Sequence, residues 1–155
     1  MGTTQTLGIA GICTVKSPDQ IRTVLGSCIG IALYDMKAGI GGMAHVMLPE
    51  ATGPTESPGK FADTGVDSLL QDVLAGGANR TRLVAKIAGG AAMFGAASDT
   101  GIGTRNTKAV IERLEKHDIK LVAHEVGGAK GRRMSLDPQT GDVEVQVIGQ
   151  SARVL

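Results

Sequence analysis

The chain has 155 residues, the length of one ordinary domain, and 42% are hydrophobic against 20% charged. That is enough apolar material for a core, which excludes a disordered tail or a linker. Sixteen Lys and Arg against fifteen Asp and Glu leave a net charge of +1, which steers the chain toward neither nucleic acid nor an anionic membrane. Glycine supplies 23 residues, about twice ordinary usage, while aromatics supply only 2%, too few for a stacking platform that grips single-stranded nucleic acid.

In chain order, Met1 to Thr6 lacks a basic n-region and is no secretory signal; it matches only the loose N-myristoylation pattern, which is short and common by chance. Residues 7–15 predict a first strand, with Pro18 and Asp19 in the turn after it. Residues 21–25 predict a short extended segment running into Gly26-Ser27-Cys28. Two apolar runs, 29–34 and 40–48, flank an Asp- and Gly-containing turn and predict a hairpin. Residues 49–59 carry three prolines and predict a loop. A helix over about 61–75 places Ala62, Val66, Leu69, Leu70, Val73 and Leu74 on one face and ends at Gly76-Gly77. Residues 82–88 predict a strand opening into Gly89-Gly90. A second helix over about 105–117 turns Val110, Ile111 and Leu114 inward, and 119–125 predicts another strand. A final hairpin turns at 137–141, with Val143, Val145 and Val147 alternating with Glu144 and Gln146. Many strands and two helices in no strict alternation predict a single-domain α+β sandwich, since two helices cannot cover both faces of a large parallel sheet. The longest uncharged apolar run, Ile87 to Ala97, is too short to span a bilayer.

The residues that could carry chemistry are Gly26-Ser27-Cys28 and His45. If 29–34 and 40–47 pair around a connection at 35–38, Cys28 and His45 stand directly opposite on one face, with β-carbons about 4.5–5.5 Å apart. A slip of one residue would send them to opposite faces. An imidazole beside a thiol favours the thiolate and makes a nucleophile. Gly26 admits close backbone approach, and N–H groups around residues 26–28 could receive an oxyanion. Thr23, five residues before the cysteine, is the nearest group that could orient the imidazole. The plain alternative is that Cys28 is inert core, as cysteines in apolar strands usually are. Cys13, inside an apolar run with no such partner, reads as core. His117, at a helix C-terminus, needs no function beyond the helix dipole. Two cysteines and three histidines show no metal-ligand spacing, and no phosphate-binding or nucleophile-elbow motif occurs, so no metal and no cofactor is expected. Gly101-Ile102-Gly103 and Gly127-Gly128 read as turns. A chain with this core does not need a disulfide, so free thiols and a cytoplasmic location are expected.

Several segments together resemble the CheD family of chemoreceptor glutamine deamidases. They are Thr23 to Cys28, Ala44-His45-Val46-Met47-Leu48-Pro49, Lys60-Phe61-Ala62-Asp63, Lys86 to Phe94, Ile102 to Asn106, and Gly127-Gly128 with Gly131-Arg132. The resemblance covers about residues 7–148. It implies a three-layer α/β/β sandwich with mixed, largely antiparallel strands, similar to deamidating toxins of the cytotoxic necrotizing factor type. It implies a Cys-His-Thr site on Cys28, His45 and Thr23, with Ser27 a second hydroxyl candidate. The implied reaction is attack of the Cys28 thiolate on a receptor glutamine, loss of ammonia, and hydrolysis of a thioester to glutamate; glutamyl methyl esters would pass through the same intermediate. The implied partners are chemotaxis receptors as substrate and CheC, the phosphatase of phosphorylated CheY. That second partner leaves a regulatory binding module as the alternative to an enzyme.

Overall fold

The computed structural model describes residues 2–93 and 101–155. Met1, Phe94 and the last part of the Ile87 to Ala97 run lie outside the described residues. In chain order the elements are β1 (Thr4–Thr6), β2 (Ile12–Lys16), β3 (Gln20–Leu25), β4 (Ile29–Asp35), β5 (Ile40–Val46), α1 (Ala62–Ala75), β6 (Val84–Gly89), α2 (Ile102–Lys116), β7 (Lys120–Val126), β8 (Arg132–Asp137), β9 (Asp142–Val147) and β10 (Arg153–Val154). They form two five-stranded sheets, ordered β1-β3-β8-β9-β10 and β2-β5-β4-β6-β7. Most neighbours are antiparallel; β1–β3 and β6–β7 are parallel.

The side-chain period of two sorts β4 into two cores. Ile29, Ile31 and Leu33 pack with Val66, Leu69, Val73, Val110 and Leu114 of the helices. Ala32 and Tyr34, on the other face, pack with Ile21, Leu25, Met134, Leu136 and Val143 of the first sheet. The layers are therefore helices, second sheet, first sheet, which is the expected α/β/β sandwich. Burying one such Ile or Leu contributes about 2 kcal/mol. Part of the glycine excess follows from the close contact of the sheets. A Cβ on Gly30 would lie 2.5 Å from Met134 Sδ, and one on Gly41 would lie 2.9 Å from Leu136 Cδ2.

Several boundaries differ from the sequence-based expectation, each for a local reason. Strand β2 starts at Ile12, because residues 7–11 turn back, with Gly11 N–H donating to the Gly8 carbonyl. The short polar strands β1 and β10 carry no hydrophobic alternation to betray them. Helix α2 starts at Ile102 and buries Gly103, where a Cβ would lie 2.4 Å from the Gly90 carbonyl oxygen. Asp67 of α1 ties the helices together through Arg113 and through His117, whose Nε2 lies 2.6 Å from its carboxylate. Gly127 and Gly128 form the turn between β7 and β8, both with positive φ.

The hairpin also differs. The connection is Met36–Gly39, and Asp35 pairs with Ile40 as the last rung. The cause is the Asp35 carboxylate, which is fully buried. It accepts from Asn79 N–H at 2.8 Å, Ala38 N–H at 3.2 Å and Arg82 Nε at 2.9 Å. A side chain held in this way belongs to the strand rather than to the turn, so the connection moves by one residue and every cross-strand partner by two.

Candidate active site

Thr23 lies between Ile21 and Leu25 on the face of β3 that meets the second sheet. His45 lies two residues beyond Met43 on the opposing face of β5. Cys28 sits where the chain crosses from β3 to β4, half-buried and packed against the same inter-sheet core. All three candidate side chains thus enter the gap between the sheets at one end of it.

Thr23 and His45 are hydrogen-bonded there. Thr23 Oγ1 lies 2.7 Å from His45 Nδ1 and 2.8 Å from the Leu7 carbonyl oxygen, and both residues are buried. A carbonyl only accepts, so the one hydroxyl proton goes to Leu7. The hydroxyl oxygen must then accept from Nδ1–H. That fixes the neutral tautomer with Nε2 as the unprotonated nitrogen. Nε2 is itself buried and has no hydrogen-bond partner among the described residues. Ser27, the other hydroxyl candidate, contributes its carbonyl to a different contact, described below.

The register places Gly30, not Cys28, opposite His45. Cys28 therefore stands diagonal to His45 on the same face, a correction that follows from the shifted turn. The electrostatics differ from the expectation as well. Burial pushes the Cys28 thiol above its ordinary pKa and pulls the His45 imidazole below its own. Both shifts favour the neutral thiol and imidazole over the thiolate and imidazolium.

The loop that carries Cys28 is pinned by all three of its carbonyls. The Gly26 carbonyl accepts from Ala91 N–H at 3.0 Å, and that of Cys28 from Gly90 N–H at 2.9 Å. The Ser27 carbonyl accepts from Asn106 Nδ2 at 3.2 Å. In a trans peptide the C=O and N–H point opposite ways. Anchoring the Gly26 and Ser27 carbonyls therefore aims the N–H groups of Ser27 and Cys28 to the other side of the loop. Gly89 makes this contact feasible: its φ is +113°, and a Cβ there would lie 2.1 Å from the Cys28 carbonyl oxygen. Gly26 borders Met93, with space for ordinary contact only. Glycines 89 and 90 thus bring backbone to the Cys28 loop itself. Sequence reasoning placed them at the end of a strand, and it gave Asn106 no role; its signals were a polar residue at a core-facing helix position and its place in the Ile102 to Asn106 segment that carries the family resemblance.

Two hollows among the described residues lie elsewhere. One of about 460 Å³ covers the outer face of the first sheet, bordered by Arg22, Val24, Arg133 and Glu144 and reaching Thr23, and another of about 380 Å³ lies beside α2. Cys13 and Cys28 are both free, and Cys13 Sγ donates to Gln5 Oε1 at 3.3 Å.

Residues 47–147 match a family model described as CheD chemotactic sensory transduction. Relatives match along nearly the whole length. A probable chemoreceptor glutamine deamidase CheD of Clostridium kluyveri is 43% identical over 153 residues, covering 95% of this chain and 94% of that protein. One of Clostridium tetani is 46% identical over 149 residues, covering 92% and 90%. One of Symbiobacterium thermophilum is 42% identical over 159 residues, covering 97% and 96%. The family-model match begins two residues past His45, so it is the full-length relatives that extend across Thr23, Cys28 and His45.

Proposed function

Because this chain belongs to the CheD family, we propose that it deamidates glutamine side chains of chemoreceptors, with Cys28 as nucleophile, His45 as base and acid, and Thr23 as the residue that holds His45. The observation that carries this reading is the chain from the Leu7 carbonyl through the Thr23 hydroxyl to His45 Nδ1, which leaves Nε2 free in the layer that Cys28 enters. A nucleophile, a base and a group orienting the base is the arrangement that covalent catalysis requires.

The steps balance as follows. His45 Nε2 takes the Cys28 proton as sulfur attacks the carboxamide carbon, and the carbonyl oxygen becomes an oxyanion. The N–H groups of Ser27 and Cys28, aimed by their pinned neighbours, are the donors placed to receive it. The imidazolium gives its Nε2 proton to the departing nitrogen, the C–N bond breaks, and ammonia leaves a thioester on Cys28. Water attacks the thioester, His45 takes the proton of that water, and the C–S bond breaks to give glutamate and thiol. Because burial favours the neutral pair, proton transfer accompanies attack rather than preceding it. A glutamyl methyl ester would enter the same thioester with methanol leaving in place of ammonia. No metal or cofactor takes part in this scheme, and free cysteines suit a cytoplasmic site of action.

The test is mass spectrometry of a purified chemoreceptor cytoplasmic fragment after incubation with the wild-type protein and with Cys28→Ala. The wild type should add about 1 Da at specific glutamines, the mass of amide-to-acid conversion, and the variant should add nothing. Conversion by the variant at the wild-type rate would remove Cys28 from the reaction. Binding of CheC, the second role, requires no thiol. Capture of purified CheC by Cys28→Ala as well as by wild type is the expected result; loss of capture in the variant would join the two roles in one site.

A further inference from the structure

Asn106 is the one polar member of the buried stripe of α2, whose other members are Gly103, Val110 and Leu114. It is fully shielded from water. Leucine or alanine would suit a helix interior better, and a buried amide is unfavourable unless it is hydrogen-bonded. Its Nδ2 donates to the Ser27 carbonyl at 3.2 Å and to the Met47 carbonyl at 3.1 Å. Ser27 precedes the candidate nucleophile, and Met47 follows His45 by two residues. Both partners only accept, so the amide nitrogen must face them, and Oδ1 is left buried without a partner among the described residues. The helix is seated closely enough for this by Gly103, which lies against the Gly90 backbone.

We infer that Asn106 is a positioning residue of this site: it clamps the Cys28 loop to the end of the His45 strand and aims the Cys28 N–H toward the oxyanion. One side chain bridges the two segments whose relative placement decides whether sulfur and Nε2 meet. The inference rests on the reading of Cys28 and His45 as nucleophile and base. A displacement on the order of 1 Å between such groups lowers turnover about 100-fold, so the contact acts on rate rather than on substrate affinity.

The test compares wild type, Asn106→Leu, which keeps the branched shape and removes both donors, and Asn106→Ser, whose single hydroxyl proton cannot serve both carbonyls. Each is first checked for cooperative melting, and the serine variant serves if the leucine variant does not fold. Two readouts follow. On a purified chemoreceptor cytoplasmic fragment, kcat should fall at least about 10-fold with KM within about twofold. The rate of Cys28 alkylation by iodoacetamide across pH, with no receptor present, should shift from the wild-type profile to that of His45→Ala. A folded variant with wild-type kcat, or an alkylation profile superimposable on wild type, would overturn the inference. Coincident wild-type and His45→Ala profiles would instead overturn the reading of His45 as base to Cys28, and the inference with it.

Discussion

Thr23 orients His45 with a hydroxyl where many nucleophilic sites use a carboxylate, and this has consequences for pH. A neutral acceptor does little to stabilise an imidazolium, so the burial that lowers the His45 pKa is not offset. Burial therefore favours the neutral imidazole that the proposed role of His45 as base requires. The acid limb of kcat/KM should lie below about 6.5, the ordinary histidine value, and stopped assays of ammonia release from pH 5 to 8 will locate it. The same shift acts on stability. The unfolded His45 takes up a proton below about pH 6.5 while the folded one resists, so its contribution to stability diminishes as pH falls from there. Removing the hydroxyl should release the tautomer. Thr23→Val is expected to lower kcat by about 10- to 100-fold, and Thr23→Ser to stay within about threefold, both read by initial rates of ammonia release. At this scale much was legible in the sequence. The spacing of Thr23 before Cys28 and the hairpin that carries His45 pointed to three side chains that the structure brings to one end of the gap between the sheets. The protonation state was not legible, because it depends on how deeply two sheets bury the groups.

The elements that position the site were less visible. The β4–β5 hairpin was expected, but its register depends on the buried Asp35 carboxylate, a tertiary contact with Asn79 and Arg82 that no local pattern announces. The Arg82 guanidinium and two backbone N–H groups hold the Asp35 pKa down to about 2. Its unfolded value is about 3.9, so the stabilisation is present above about pH 4 and is lost as pH falls through about 2. Asp35→Ala should destabilise the fold by on the order of 3 kcal/mol and should flatten the pH dependence of the urea midpoint between pH 4 and 2. An unchanged midpoint in that variant would remove Asp35 as the determinant of register. The end of β6 is equally constrained. Gly89→Ala places a methyl against the Cys28 carbonyl at a φ that L-residues rarely adopt. It should lower stability by on the order of 3 kcal/mol and abolish deamidation; a folded, active variant would show that the loop has room to spare. Sequence reading took Gly101-Ile102-Gly103 for a turn, and glycine disfavours helix interiors. The close approach of α2 to Gly90 is the physical reason Gly103 stands in a helix.

For the whole molecule, counting gave an α+β sandwich, because two helices cannot cover both faces of a large parallel sheet. The α/β/β order of layers came from the family resemblance. The shortest strands escaped that count, since Thr4–Thr6 and Arg153–Val154 have no buried alternation to reveal them. The three-layer arrangement also explains where chemistry can occur. Two of the chain crossings between the sheets, at residues 7–11 and 26–28, bring backbone partners to polar side chains at one end of the gap. The central claim is that glutamine is converted to glutamate there through a thioester on Cys28. The most direct measurement supplies hydroxylamine together with a chemoreceptor cytoplasmic fragment and resolves the modified side chains by mass spectrometry. A thioester predicts that wild type forms the side-chain hydroxamate alongside glutamate, at a ratio set by hydroxylamine concentration, and that Cys28→Ala forms neither. Glutamate produced by the wild type with no hydroxamate at any hydroxylamine concentration would contradict it.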